Sequence, residues 1–358
     1  MRLSPTDRFF VIAIAMVGMM GTGRVQAQSA AAFWNTTGAF AGSARCAMCH
    51  PEQARKFQLN SMAHALEGVD KCEILKGDIH YSFRDGSFTY SITRMGDTVL
   101  YRVTDGKESF EAPLQYAFGQ GKAGQTYLFT LAGKFYESRV SYYAKLHNLA
   151  LTVAPNGARP TTILAAAGRV MEAPESRNCF GCHTTGARVG TSLQLTNYEQ
   201  GVQCESCHGP GEVHAGKPEK GNIRALRRMA PRQSNEFCGA CHRTWEAVTL
   251  MGIKGPNTAR FPSYRLTNSA CYSLDDARIS CVACHDPHGP LVTEDAYYDS
   301  KCTACHNTGN HSLRKQVCPV GKQNCTSCHM QRVEPAEAHH AFPDHWIRVV
   351  KSKTDYPE

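Results

Sequence analysis

The segment Gly201-Val202-Gln203-Cys204-Glu205-Ser206-Cys207-His208-Gly209-Pro210-Gly211 contains a Cys-x-x-Cys-His motif followed by a Gly-Pro-Gly turn. The same motif occurs seven times in the 358 residues, and we number the copies in chain order. They are Cys46-Cys49-His50, Cys179-Cys182-His183, Cys204-Cys207-His208, Cys238-Cys241-His242, Cys281-Cys284-His285, Cys302-Cys305-His306 and Cys325-Cys328-His329. Two cysteines three positions apart lie within about one helical turn, which suits thioether bonds to the two vinyl groups of one haem. The histidine that follows is then placed to bind the iron as the proximal ligand.

A zinc ribbon is the competing interpretation, because paired Cys-x-x-Cys units also bind zinc. Zinc does not require histidine after the second cysteine, yet histidine stands there in all seven motifs. A thioredoxin-like redox site would need only one such unit, in a βαβ setting. The sequence therefore predicts seven covalently attached haem c groups.

The motifs use 14 of the 17 cysteines and leave Cys72, Cys271 and Cys318. An oxidising compartment permits one disulfide and one unpaired thiol. We expect Cys271 to pair with Cys318, since both lie in the region where the motifs are dense. The sequence alone does not fix this connectivity.

The N-terminus has the three-part layout of a secretory signal peptide. Arg2 and Arg8 precede an apolar run over residues 9–21, and Val25-Gln26-Ala27 offers a small-x-small cleavage site. This apolar run is too short to span a bilayer, and no later run reaches about 18 apolar residues. We expect residues 1–27 to be removed and the mature chain to be a soluble periplasmic protein without a transmembrane segment. Association with the outer membrane stays open.

The formal charge of +8 does not indicate a nucleic-acid-binding protein. Loss of the signal peptide removes three arginines and one aspartate and leaves +6. The propionates and ferric centres of seven haems would bring the total to about −1. Lys and Arg are therefore expected to pair with propionates or to lie on the solvated surface. Expected partners are other redox proteins or membrane quinol and cytochrome complexes, not nucleic acid.

Sixteen histidines leave nine after the proximal ligands are assigned. We predict that most of them bind iron as distal ligands, because this surplus is hard to explain as surface residues. The predicted distal ligands are His64, His214, His288, His311 and His345, with further candidates at His340 and His147. His339 is adjacent to His340, so only one of the two is expected to face iron. His80 opens a strand-like run and is the weakest candidate, and Met330 is assigned to core packing.

The motifs are unevenly spaced, which divides the chain into segments. We predict a signal peptide over 1–27, an N-terminal helical segment with the first haem over 28–72 and a β-rich insert over 73–172. A six-haem domain over 173–348 and a tail over 349–358 follow. The predicted fold class is a multihaem cytochrome, mainly short α-helices and loops wrapped around stacked haems, with a β-meander insert of about 100 residues.

The β-rich insert is predicted from alternating β-branched and aromatic residues between Asp-Gly or Gly-Asp turns. The predicted strands are residues 79–84, 87–92, 98–103, 126–131 and 135–143. The insert is expected to serve as a scaffold for the haem domain or as a docking face for a partner.

The sequence resembles the bacterial periplasmic multihaem cytochromes related to the tetrahaem cytochrome that accepts electrons from hydroxylamine oxidoreductase. The most specific likeness is residues 201–211 together with His214. Further likenesses are residues 41–50, 119–128, 140–143, 260–266, 281–288 and 342–345. The resemblance implies haem c, export and electron transfer. Unlike the pentahaem nitrite reductases of the catalytic branch, this chain has no Cys-x-x-Cys-Lys motif, and no tyrosine that crosslinks to a catalytic haem is identified.

Three functions are consistent with these features. The leading one is an electron carrier with mostly bis-histidine haems, since two imidazoles close the iron to substrate. The second is a reductase of a small nitrogen or sulfur oxyanion at one open-faced haem. The third is a structural subunit of a larger cytochrome assembly.

Overall fold

The computed structural model describes residues 38–153, 159–274, 276, 278–306, 318, 321, 323–350 and 356–357. The predicted signal peptide, His311 and most of the predicted tail lie outside the described residues. Within the described part, no helix is long and apolar enough to cross a bilayer.

A nine-stranded antiparallel sheet follows the first haem motif along the chain. Its strands are β1 Leu66–Gly68, β2 His80–Asp85, β3 Phe88–Met95, β4 Thr98–Thr104, β5 Ser109–Phe118, β6 Gln125–Leu131, β7 Lys134–Tyr143, β8 Asn148–Leu151 and β9 Gly168–Val170. Strands β2 to β8 are neighbours in sequence order, while β1 pairs with β5 and β9 pairs with β7. The backbone N–H of Ser82 in β2 donates to Asn148 Oδ1 in β8 at 3.1 Å, so the sheet is nearly closed.

The predicted meander is confirmed for the five strands that the sequence indicated. Two-residue loops join β2 to β3, β3 to β4 and β6 to β7. In the last loop Ala132 and Gly133 have φ values of 49° and 75°, as a type I′ turn requires. Strands β1, β5, β8 and β9 were not predicted from the sequence.

Successive side chains along each strand point to opposite faces of the sheet, and the apolar side chains on the inner face form its core. Tyr90 and Ile92 of β3 are fully buried and pair with Val103 and Tyr101 of β4, which are fully buried as well. A second, smaller cluster of Leu66, Leu128, Met171, Phe180 and Ala187 packs on the other side of the sheet. This second cluster joins the sheet to the region that contains the later haem motifs.

Short helices and loops form the rest of the described chain, as predicted. The α-helices are Ser43–Ala47, Pro51–Phe57, Ile163–Ala167, Ala173–His183, Cys204–His208, Glu212–Gly216, Pro231–His242, Trp245–Met251, Pro262–Leu266, Cys281–Cys284, Asp295–His306 and Cys325–His329. The 3₁₀ helices are Ser61–His64, Glu73–Leu75, Leu226–Arg228 and Gly255–Arg260. Three two-stranded ladders pair Thr184–Thr185 with Glu199–Gln200, Arg188–Val189 with Ser192–Leu193, and Arg332–Val333 with Phe342–Pro343.

Candidate haem-binding sites

Each of the seven motifs begins in a helix. In five of them, from Cys179, Cys204, Cys238, Cys302 and Cys325, the helix continues to the motif histidine. In the fifth motif the helix ends at Cys284, and in the first it ends at Ala47. In the first motif the N–H of His50 still donates to the carbonyl of Cys46 at 2.9 Å. The local geometry therefore matches the helical turn that the Cys-x-x-Cys-His spacing predicted.

The second motif is fixed to the sheet by one of its variable positions. Phe180 lies between Cys179 and Cys182 and is fully buried. Its ring meets Tyr116 and Phe118 of β5 edge-on, at 5.1 and 5.3 Å between centroids. The sheet therefore serves as a scaffold for this motif.

Three motif histidines share one hydrogen-bond pattern. The Nδ1 atoms of His183, His208 and His329 lie 2.8, 2.9 and 3.1 Å from the backbone carbonyls of Ala65, Arg224 and Arg348. Because a carbonyl only accepts, each Nδ1 carries the proton and each Nε2 keeps its lone pair for a metal. Such outer partners orient metal-binding imidazoles. These residues therefore fit haem iron ligation.

His285 has a different partner. Its Nδ1 lies 3.3 Å from the hydroxyl of Tyr298, which itself donates to the carbonyl of Val292 at 2.8 Å. Since the hydroxyl proton is directed to Val292, the Tyr298 oxygen accepts from His285. This contact could not be predicted from the sequence, because a tyrosine 13 positions further on has no fixed relation to the motif.

Two predicted distal histidines face motif histidines. The rings of His208 and His288 lie 6.1 Å apart between centroids with their planes at 4°, and those of His285 and His345 lie 6.2 Å apart at 38°. Nδ1 of His345 lies 3.0 Å from the carbonyl of Pro343, which leaves its Nε2 available. Burial and the neighbouring His285 lower the pKa of His345 to about 4, which favours the neutral form that binds metals.

His214 and His64 differ in whether a ring nitrogen remains available to bind a metal. Nδ1 of His214 lies 2.8 Å from Asn222 Oδ1, and this contact leaves Nε2 for a ligand role. Both ring nitrogens of His64 have partners, since Nδ1 lies 2.8 Å from Glu67 Oε1 and Nε2 lies 2.8 Å from the carbonyl of Gln58. A ligand role for His64 would require it to release Gln58.

The remaining candidates lie on or near the sheet. His147 occupies an exposed turn between β7 and β8 with a φ of 49°, and His80 is exposed at the start of β2, with Nδ1 3.1 Å from Thr93 Oγ1. His339 and His340 line an open cleft together with Lys122 and Lys145. The structure does not bring His147 or His80 beside a motif histidine by any described ring contact.

Cysteines of different motifs approach one another. The helix Ser43–Ala47 packs against Cys204–His208, Pro231–His242 against Cys281–Cys284, and Asp295–His306 against Cys325–His329, while Cys182 Sγ donates to the carbonyl of Ala240 at 3.9 Å. Burial and then the neighbouring Cys204 raise the pKa of Cys46 to about 11. The attachment motifs thus lie side by side in pairs.

The pairing of Cys271 with Cys318 stays a prediction. Cys271 is half-buried and Cys318 is exposed. Cys72, the third cysteine outside the motifs, is fully buried in the sheet core and donates to Gln125 Oε1 at 3.2 Å.

Two buried polar groups that the sequence did not single out support the motifs. The carboxylate of Glu205, inside the third motif, accepts from the N–H groups of Ala41, Gly42 and Gly211 at 2.8, 2.8 and 2.6 Å. These hydrogen bonds hold the backbone that precedes the first motif against the third motif. Arg265 and Asp344 form a fully buried ion pair at 2.8 Å, directly beside His345.

Comparison with known proteins agrees with these sites. Residues 139–209, which include the second and third motifs, match the family model described as cytochrome c554 and c-prime. The chain is 30% identical to cytochrome c-554 of Nitrosomonas europaea over 103 residues, covering 25% of this chain and 44% of that protein. It is 26% identical to the high-molecular-weight cytochrome c of Nitratidesulfovibrio vulgaris over 165 residues, covering 42% of this chain and 25% of that protein.

A third relative and one solved structure extend the comparison. The multiheme cytochrome MtrA of Shewanella baltica is 23% identical over 168 residues, covering 42% of this chain and 44% of that protein. The crystal structure of the outer cell wall cytochrome OcwA superposes with a TM-score of 0.54 at 15% identity, over 87% of this chain and 80% of that one. This last likeness concerns the fold alone.

The chain spans less than half the length of each of these curated relatives. The matches nevertheless confirm the predicted resemblance, because the chain is related to the multihaem c-type cytochromes. Haem c is accordingly its cofactor.

Proposed function

We propose that the chain is a periplasmic electron-transfer protein that carries seven covalently bound c haems, mostly with bis-histidine ligation. The observation that carries this proposal is the lateral contact between attachment motifs, which lie against one another in four pairs. When bound, a c haem supplies a one-electron couple whose potential depends on its axial ligands and surroundings. Cofactors attached at touching motifs are close enough to exchange electrons, whereas a single reaction centre needs no such series.

The facing imidazoles support closed, six-coordinate irons. Two imidazoles on opposite sides of one iron, each with a metal–nitrogen bond of about 2 Å, would place their ring centroids about 6 Å apart. The pairs His208 with His288 and His285 with His345 have this separation, at 6.1 and 6.2 Å. We assign His288 as the distal ligand of the third haem and His345 as that of the fifth. His214 stays a proposed distal ligand, because Asn222 holds its Nδ1 and leaves its Nε2 available.

The contacts also order the motifs. The fourth motif is central, since its Ala240 carbonyl accepts from Cys182 of the second at 3.9 Å and its helix packs against the helix of the fifth. Arg224 links the third motif to the fourth, because it donates to the carbonyl of Cys207 at 3.2 Å and lies over the ring of Phe237 at 5.3 Å, and the helix of the fifth motif packs against that of the sixth. The proposed path therefore runs from the first motif through the third, fourth, fifth and sixth to the seventh. The second motif branches from the fourth.

The haem content and ligation are tested on the exported, mature protein. The pyridine haemochrome assay and the intact mass should each give seven haems per chain, and the ferric EPR spectrum should be dominated by low-spin signals. A mass equal to that of the bare polypeptide would overturn the proposal. A large high-spin signal that shifts on addition of nitrite would favour the reductase alternative.

A further inference from the structure

Asn60 joins two distant parts of the chain. It is buried, with 7% of its surface exposed, between the helix Pro51–Phe57 and the 3₁₀ helix Ser61–His64. Its Nδ2 donates to the carbonyls of Pro287 and Gly289 at 3.1 and 2.6 Å. Its Oδ1 accepts from the N–H of Met62 at 2.9 Å. One amide side chain thus caps its own segment and holds a loop more than 220 positions further along.

The two carbonyls that Asn60 holds flank His288. On its N-terminal side, the N–H of His288 donates to Asp286 Oδ1 at 2.9 Å, and the N–H of Gly289 approaches the Asp286 carbonyl at 3.3 Å. These local bonds shape the turn, but they do not fix it to the rest of the molecule. The two bonds from Asn60 attach it to the N-terminal segment.

The imidazole of His288 itself has only a loose polar contact. Its Nδ1 lies 3.8 Å from Asp286 Oδ1, and 42% of its side-chain surface is exposed. It nevertheless lies parallel to His208, with the planes at 4°. His208 is held separately, through Nδ1 and the carbonyl of Arg224. The position of His288 relative to His208 therefore depends on how its backbone is anchored.

We propose that Asn60 is a positioning residue that holds His288 opposite His208 and so maintains the sixth ligand of the third haem. This inference rests on the proposed function, in which His208 and His288 are an axial pair. It adds that the segment after the first motif controls ligation at the third. The atom that holds the His288 loop is the hydrogen-bond donor Nδ2 of Asn60, since Oδ1 accepts from the N–H of Met62 within its own segment.

The test replaces this donor and keeps the cap. Asn60→Asp retains an oxygen for Met62 and the size of the side chain, but it directs a carboxylate at two carbonyls. In the ferric mature protein we expect a new high-spin EPR signal from one haem, together with binding of added imidazole that restores the low-spin signal. Gln125→Glu is the matched control, because Gln125 is also buried and its Nε2 donates to the carbonyl of Gly119 at 2.8 Å, within the sheet. It should leave the spectrum unchanged.

The variant His288→Ala tests the axial pair of His208 and His288 separately from the role of Asn60. If His288→Ala gives the one-haem high-spin signal and Asn60→Asp does not, the axial pair stands and the role of Asn60 is wrong. If His288→Ala itself leaves every haem low-spin, the axial pair is wrong, and the role of Asn60 falls with it. Should Asn60→Asp fail to mature with all its haems, Asn60→Ser provides the same test, because its hydroxyl can cap Met62 and is too short to reach the loop.

Discussion

Tyr298 distinguishes the fifth motif from the second, third and seventh. The motif histidines of those three donate to backbone carbonyls at 2.8 to 3.1 Å, whereas His285 donates to a hydroxyl at 3.3 Å. A hydrogen bond from Nδ1–H raises the basicity of an iron-binding imidazole and thereby stabilises the ferric state. The weaker acceptor predicts that the fifth haem has a higher potential than its neighbours with carbonyl partners.

Tyr298→Phe removes this acceptor, so we expect the potential of the fifth haem to rise further. Loss of one hydrogen bond of roughly 1 kcal/mol corresponds to roughly 40 mV for a one-electron couple. A spectroelectrochemical titration should show the shift in about one seventh of the absorbance change. Tyr297→Phe is the control, because Tyr297 touches the ring of Tyr298 but no contact with His285 is described for it. An unchanged titration in Tyr298→Phe would contradict the assignment.

At the scale of elements, the segment around Phe342–Pro343 is held in place by a buried ion pair. Asp344 accepts from Arg265 through both carboxylate oxygens at 2.8 Å, and from Arg348 at 2.6 Å. Arg265 is fully buried and lies over the rings of Trp346 and Tyr356, at 4.7 Å from each centroid. The segment carries His345, and the carbonyl of Arg348 holds His329. The proposed ligands of two haems thus depend on one ion pair.

Asp344→Asn should loosen this segment. Removing one partner of a buried ion pair leaves the other charge uncompensated and costs about 3–5 kcal/mol. We expect a lower free energy of unfolding in denaturant titrations and a high-spin contribution from the haems served by His345 and His329. Asp276→Asn, which breaks an exposed ion pair with Arg278, is the control and should change neither quantity measurably. Equal stability of the two variants would show that the buried pair does not fasten the segment.

Which elements the sequence could predict depends on how local their signal is. A Cys-x-x-Cys-His motif carries its chemistry within five residues, and β2, β3 and β4 show strict alternation between short turns. Strand β5 lacks such a signal, because it contains no β-branched residue and Pro113 lies within it. Its pairing with β4, where Pro113 lies opposite Leu100, comes from the sheet as a whole. Likewise, neither Asn60 nor Arg265 could be assigned, because their partners lie 79 to 229 positions away.

At the scale of the whole molecule, the sheet and the haem region have separate cores. The larger apolar cluster lies within the sheet, and the sheet meets the haem region through the smaller cluster around Phe180. The motifs from the third to the seventh therefore depend on one another, and on their haems, more than on the sheet. The effect of removing a single haem on electron equilibration should therefore depend on the position of its motif in the series.

The fourth motif has the most neighbours, so its removal should divide the molecule electronically. Cys238→Ser with Cys241→Ser abolishes attachment there, and we expect a protein one haem lighter in which electrons no longer equilibrate rapidly between the first three haems and the last three. Cys46→Ser with Cys49→Ser removes a haem from the end of the path and is the matched control, since the remaining series stays continuous. After rapid partial reduction, absorbance kinetics should be slow and multiphasic in the first variant and fast in the second. Because electron transfer slows steeply with distance, equally fast equilibration in both would place another motif at the centre of the path.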